Sequence, residues 1–145
     1  MKVSMKVDYG VRALMHLAQH YGQGLVQTNE IAQSQSIPEP YLDQLLTTLR
    51  KAGFIRSRRG PGGGHILAKD PEAISLGAVI GALEGSLSPM DCIDSPDECE
   101  RAEFCPQRQV WRTVEEATAR VLAATSIAQL SQQQDKHLKQ GMYYI

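Results

Sequence analysis

The sequence predicts a mainly α-helical protein with one small β-hairpin and a long helix in its C-terminal third. Three observations lead there. Apolar residues recur at helical spacing through most of the chain, two short β-prone segments flank Gly60-Pro61-Gly62-Gly63-Gly64, and a proline-initiated helical pattern begins at Pro106. At 145 residues, 42% hydrophobic and 21% charged, the chain suits one compact domain with or without a protruding helix. No apolar run approaches the roughly 18 residues of a membrane span. The start, Met1-Lys2-Val3-Ser4-Met5-Lys6, lacks a signal-peptide hydrophobic block, so a cytoplasmic protein without a membrane partner is expected.

The first helical pattern runs from about Met5 to Tyr21, with Val7, Val11, Leu14, Met15, Ala18 and Tyr21 as its stripe; Gly22 and Gly24 end it. A short second helix fits Thr28 to Gln33, with Thr28 or Asn29 as cap and Ile31-Ala32 inward. Ser34 to Pro40 is turn chemistry. Pro40 then suits the first position of a helix to Lys51, with Tyr41, Leu42, Leu45, Leu46 and Leu49 as its stripe and Gly53 as its stop. The hairpin follows, from Phe54 to Arg59 and from His65 to Ala68. A helix from Ser75 or Leu76 reaches Glu84 and is closed by Gly85. Ser86 to Glu103 reads as a polar loop. The long helix spans Pro106 to about Thr125, with Val110, Trp111, Val114, Ala117, Thr118, Val121 and Leu122 on one side. A shorter helical piece at Ile127 to Leu130 and a polar tail of disorder-prone composition complete the chain.

The formal net charge of −1 argues at first against a nucleic-acid partner. Its distribution reverses that inference. Residues 1–70 hold nine Lys/Arg against five Asp/Glu, a net of +4, and residues 71–145 a net of −5. Arg50 to Arg59 holds five cations and no acid, whereas Asp91 to Glu103 holds six acids opposed only by Arg101.

Two short helices with a tight turn, followed by a basic hairpin, form a winged helix-turn-helix. The helix from Pro40 fits a major groove, where base edges carry a unique hydrogen-bond code. Its Tyr41, Asp43, Gln44, Thr47, Thr48 and Arg50 are the candidates for bases or phosphates. Arg58 and Arg59 suit an adjacent minor groove, and the side-chain-free Gly62, Gly63 and Gly64 let backbone amides approach phosphates. The glycine run lacks a following Gly-Lys-Ser/Thr and is no nucleotide-binding loop. The competing structural reading is a plain hairpin on a helical protein-contact domain. No nucleophile–base pair or carboxylate dyad is recognisable, so no enzyme is expected. His16 and His20 stand at i, i+4 and are expected to be solvated helix histidines rather than a metal pair.

All three cysteines lie together as Cys92-x6-Cys99-x5-Cys105. An odd count without a secretory signal disfavours a structural disulfide. Zinc favours tighter pairs and four ligands. An iron–sulfur cluster fits better, because sulfide completes each iron and three thiolates need only one further ligand. Cys105 also precedes Pro106 at a helix start, where the dipole favours an anionic group.

With these residues in view, the chain resembles the Rrf2 family of bacterial winged-helix regulators. The resemblance rests on Asp8-Tyr9-Gly10-Val11-Arg12-Ala13-Leu14, on Pro40-Tyr41-Leu42-Asp43-Gln44-Leu45-Leu46-Thr47-Thr48-Leu49-Arg50-Lys51-Ala52-Gly53-Phe54-Ile55, on Arg59-Gly60-Pro61-Gly62-Gly63-Gly64-His65 and on the cysteine loop. It covers almost the whole chain. It implies a homodimer that crosses its long helices, binds pseudo-palindromic double-stranded promoter DNA and, in cluster-binding members, uses the three cysteines. One branch of the family places a histidine three residues after the last cysteine, where this chain has Arg108. Another uses a carboxylate near the partner's N-terminus, and Asp8 stands at the matching place. The resemblance therefore implies Cys92, Cys99 and Cys105 of one protomer with Asp8 of the partner subunit, around a [2Fe–2S] or [4Fe–4S] centre. The bland alternative for Asp8 is a cap on the first helix. Pro38 and Pro40 replace small hydroxyl residues of one branch, which leaves the operator open.

The expected division is 1–85 winged helix-turn-helix, 86–105 cluster-binding loop and 106–145 dimerisation helix and tail. Two rival readings are a cluster-free regulator answering to thiol chemistry or zinc, and a cluster carrier with a vestigial wing.

Overall fold

A computed structural model gives residues 2–143. The helices are α1 (Met5–Gln19), α2 (Thr28–Gln35), α3 (Glu39–Lys51), α4 (Leu76–Leu83), α5 (Asp91–Asp94), α6 (Pro106–Ala124) and α7 (Ile127–Tyr143); the strands are β1 (Ile55–Arg58) and β2 (Gly64–Leu67). Short 3-10 turns occupy Pro71–Ala73 and Pro96–Glu98. The mainly helical winged fold is as the sequence predicts. Among the described residues, no helix is long and apolar enough to cross a membrane.

Helix α1 is the hub. Ser4 caps it by accepting from the Val7 N–H at 3.3 Å, so Asp8 is not the cap. Its buried residues are Val7, Gly10, Ala13, Leu14, His16 and Leu17, while Val11, Met15 and Ala18 pack partly buried against the core and Tyr21 is exposed. The buried face is thus broader than the predicted stripe and includes a small residue and a histidine. The reason is that α1 packs against α2, α3, α4 and α7 rather than against one layer. Gly10 marks the tightest approach: a Cβ there would lie 2.5 Å from Leu83 Cδ1 of α4. His16 is only 5% exposed, contrary to the solvated expectation. Burial, and then the neighbouring His20, push its pKa below 6.5, against a smaller raising effect of Glu30.

Helix α3 buries Leu42, Leu45, Leu46 and Leu49, each contributing about 1.5–3 kcal/mol of apolar burial. Tyr41 departs from the predicted stripe: it is 39% exposed and meets Tyr9 edge-on, with ring centroids 5.6 Å apart. The N-cap of α2 is Gln27, without a side-chain hydrogen bond, in place of Thr28 or Asn29. Ser36 takes a left-handed φ of 54° at the end of α2 and turns the chain toward α3.

The predicted loop from Ser86 to Glu103 contains α5 and a 3-10 turn, and Ala102 is buried. The largest departure follows α6. The short piece at Ile127–Leu130 extends as α7 to Tyr143, and the last two tail residues lie outside the described residues. Ile127 is fully buried. The outer part of α7 meets α1 through polar groups: Ser131 Oγ donates to Met15 O, and Gln19 Nε2 donates to Gln134 Oε1 and Asp135 Oδ1, both at 3.1 Å. A helix docked on glutamines and serine has no apolar period to read.

Gly10→Ala is expected to destabilise the protein by about 1–2 kcal/mol, because the new methyl must displace the buried Leu83 side chain. Gly81→Ala, on the same α4 with nothing within 4 Å of its Cβ, is expected to stabilise by up to about 1 kcal/mol. Urea midpoints of the two variants check this pair, and equal effects would refute the packing account.

Candidate functional site

The wing is built by three local devices. Gly60-Pro61-Gly62-Gly63 forms a turn in which the Gly63 N–H donates to Gly60 O at 2.9 Å and Gly62 takes a φ of +75°. Proline before a glycine of positive φ is the pattern of a type II turn. The register pairs Ile55 with Leu67, Arg56 with Ile66, Ser57 with His65 and Arg58 with Gly64. Val26, ahead of α2, then adds a third short rung, exchanging both backbone hydrogen bonds with His65 at 2.9 and 2.8 Å. Gly64 permits that approach, since a Cβ there would lie 2.6 Å from Val26 O. The Gly63 amide is therefore engaged inside the turn and Gly64 is buried, so two of the three glycines are explained by the wing's own geometry.

His65 fixes the wing to the reading helices, a role the sequence did not disclose. Its Nε2 lies 2.8 Å from Thr28 Oγ1 at the start of α2, and its Nδ1 lies 2.7 Å from Ser57 Oγ of β1. Burial lowers its pKa from 6.5, with a smaller raising effect of Asp43. The only prior signal was a polar residue paired with a serine across the hairpin.

Between α3 and the wing runs an open cleft of about 500 Å³. Of the predicted nucleic-acid residues, Asp43, Thr47, Arg50, Arg58, Arg59 and Gly63 line it. Tyr41 and Gln44 instead line a second groove with Lys6, Leu45 and Thr48, and Gly62 is exposed at the wing tip. Among the described residues, no carboxylate pairs with Arg50, Arg56, Arg58 or Arg59. An unpaired guanidinium cleft beside an exposed helix face is suited to a polyanion of groove width.

The second group lies around α5 and α6. Cys92 sits in α5, Cys99 ends the 3-10 turn, and Cys105 is the N-cap residue of the 19-residue α6. All three are free thiols of intermediate exposure. They are not drawn together as a single-ion site: among the described residues, the only three metal-capable groups within 4.8 Å of one another are His16, His20 and Glu30. The three thiols thus lie on three successive elements, with Cys105 alone at the start of α6. Arg108, three residues after the last cysteine, donates from Nε to the Cys92 carbonyl at 3.1 Å and so braces the loop. Ser88 Oγ lies 2.7 Å from both Asp94 Oδ1 and Glu115 Oε1, tying α5 to α6. Hydrogen bonds from Ser86 and Ser88 hold the Asp94 carboxyl below the usual range.

Asp8 stands apart from this loop on α1, 40% exposed at its side chain and paired with Arg12 at 2.8 Å. Arg12 also donates to Gln35 O at 3.3 Å, at the last residue of α2.

A helix-turn-helix with a basic wing and a thiol-bearing loop defines a winged-helix transcriptional regulator that binds DNA. More narrowly, the chain belongs to the Rrf2 family, whose model, described as an iron-dependent transcriptional regulator, matches residues 3–133. The chain is 34% identical over 145 residues to the HTH-type transcriptional regulator CymR of Bacillus subtilis, covering 100% of both. The solved structure of CymR, described as the global cysteine regulator of B. subtilis, superposes with a TM-score of 0.77 at 35% identity, covering 91% of this chain and 97% of that one. T. potens IscR superposes with a TM-score of 0.76 at 39% identity, covering 94% and 90%.

Because burial disfavours protonated His65 in the fold, the unfolded chain takes up this proton first, near pH 6.5. Stability is expected to be complete above about 6.5 and to fall as pH drops below it. Denaturant midpoints across this range should show a weaker acid loss in His65→Gln, which keeps the hydrogen-bonding groups but cannot titrate. An unchanged slope would show that His65 does not carry the effect.

Proposed function

We propose that the chain is a homodimeric regulator whose DNA affinity is controlled by an iron–sulfur cluster held by Cys92, Cys99 and Cys105, with Asp8 of the partner subunit as fourth ligand. The observation that carries this reading is the trio of free, half-exposed thiols on a braced loop at the start of α6. The iron-dependent description of the family agrees with it. When bound, the cluster supplies redox-labile iron–thiolate ligation. The residues of the chain convert ligation into geometry. Arg108 and Ser88 hold the loop against α6. Arg12 joins the Asp8 carboxylate to the carbonyl that ends α2, so a change in the partners of Asp8 reaches the turn of the reading unit.

The dimer follows from α6. It has no buried residue although Val110 is 60% and Val121 65% exposed, and Phe104 just before it is 84% exposed. Trp111, Val114, Thr118 and Leu122 are half-buried, and α6 packs on α4. The outer apolar row suits a second copy, and a two-fold dimer suits a pseudo-palindromic operator. In this reading the three parts are the winged head 1–85, the cysteine loop 86–105 and the dimerising segment 106–145. Asp43, Gln44, Thr47 and Arg50 face DNA from α3, with Tyr41 at its flank and Arg58, Arg59, Gly62 and Gly63 from the wing.

A second reading is a cluster-free regulator that responds through its thiols. The favouring observations are the unpaired thiols and the cysteine-regulator description of solved CymR. Iron and acid-labile sulfide counts on anaerobically purified protein separate the two. Sulfide with iron supports the cluster, and protein free of both supports thiol control.

Asp8→Ala is expected to alter the visible absorption of the anaerobic protein and to speed its bleaching in air; an unchanged spectrum removes Asp8 from the ligand set. Arg59→Ala is expected to weaken binding to all DNA sequences and to reduce the salt slope by about 1, as loss of one phosphate contact does. An unchanged slope in a titration series would place Arg59 away from the backbone.

A further inference from the structure

We infer that His16, His20 and Glu30 form a second metal site, for a borderline divalent transition cation such as Zn²⁺ or Fe²⁺, that clamps α2 to α1 independently of the cysteines. The candidate ligand atoms all lie within 4.8 Å of one another. Glu30 Oε1 is 3.8 Å from His16 Nε2 and 3.8 Å from His20 Nε2. These separations are too long for hydrogen bonds. They are close to the roughly 3.3 Å between neighbouring ligands at 2.0–2.1 Å around a tetrahedral ion, and small side-chain rotations close the difference.

Two independent observations point to a ligand. His16 is 5% exposed, yet neither of its ring nitrogens has a hydrogen-bond partner. A buried imidazole without partners is costly, and the missing partner of Nε2 lies where the other two groups converge. The second is the state of His20. Its Nδ1 is 2.9 Å from the His16 carbonyl oxygen, which can only accept, so Nδ1 carries a proton and, in the neutral ring, Nε2 presents a lone pair. A ring whose other nitrogen donates to a backbone carbonyl is the usual support of a metal-bound histidine.

The donor chemistry then selects the ion. Two imidazole nitrogens and one carboxylate oxygen match catalytic-type zinc sites and the two-histidine, one-carboxylate arrangement of ferrous sites. Hard cations such as Mg²⁺ and Ca²⁺ prefer all-oxygen sets. The remaining positions face outward, since the side chains of His20 and Glu30 are 34% and 52% exposed, and they admit water and an entering ion. His16 and His20 stand one turn apart on α1, whereas Glu30 is in the first turn of α2. Occupation therefore joins the hub helix to the first helix of the DNA-reading unit.

The test uses the full chain with Cys92, Cys99 and Cys105 changed to Ser, so that no thiolate contributes. Titration with Co²⁺ should show one equivalent bound, with visible d–d bands and no thiolate charge-transfer band. Zn²⁺ should displace it and raise the melting temperature. His20→Ala and Glu30→Gln, both at partly exposed positions that leave the core intact, should each weaken Zn²⁺ binding at least about tenfold and abolish the thermal shift. Absence of binding in the cysteine-free chain overturns the proposal. So does binding that both substitutions leave unchanged. Loss of the cluster in the parent protein has no bearing on either outcome, so this site and the cysteine loop fail or stand separately.

Discussion

Helix α1 is enclosed by α2, α3, α4 and α7 and also meets β2, so the DNA-reading helices and the wing are positioned by reference to it. This enclosure requires small residues at the crossings. Gly10 admits Leu83 of α4, and Ala13 is fully buried on the same side of the chain's core. Larger side chains would hold the neighbouring helices apart and leave voids beside Leu14 and Leu17 that close packing does not tolerate. The reading helix α3 gains its orientation from the same contact, through Leu42, Leu45, Leu46 and Leu49.

The hub helix also carries polar groups that reach outward to the DNA-reading unit. Arg12 spans from Asp8 to the end of α2, while His16 and His20 approach Glu30 near its beginning. Thus both ends of α2 face polar side chains of α1. His65 supplies a third link, from the wing to Thr28. Helix α2 has no side-chain cap of its own and only eight residues, so these attachments set its position more than its intrinsic propensity does.

Much of this was legible in the sequence. Leucines at i, i+3, i+4 and i+7 place α3, Pro106 starts α6, and the glycine-proline turn with its arginines announces the wing. The family assignment followed from the same segments. What escaped reading shares a physical cause: contacts made by polar side chains leave no hydrophobic period. Beyond the apolar Ile127, Ala128 and Leu130, helix α7 docks through Ser131, Gln134 and Asp135, so its length was hidden. The burial of His16 depends on neighbours from a different helix. Arg108 read only as a residue unable to bind metal, because its bond to the Cys92 carbonyl depends on a turn that composition does not reveal. Tyr41 sat on the apolar stripe by spacing but at its edge in space, where Tyr9 holds it.

The junction between α6 and α7 ties the cysteine-bearing half to the rest of the fold. Leu76 N donates to Thr125 O at 2.8 Å and Ile127 N to Ile74 O at 2.9 Å, so the C-terminal end of α6 is stitched by backbone to the start of α4. Its N-terminal end, roughly 28 Å away for 19 residues, carries Cys105 and is braced to the cysteine loop by the side chains of Arg108 and Glu115. Between these ends α6 packs on α4. A rigid element thus runs from the cysteines to the main-chain stitch at α4, which itself packs on α1 and α3.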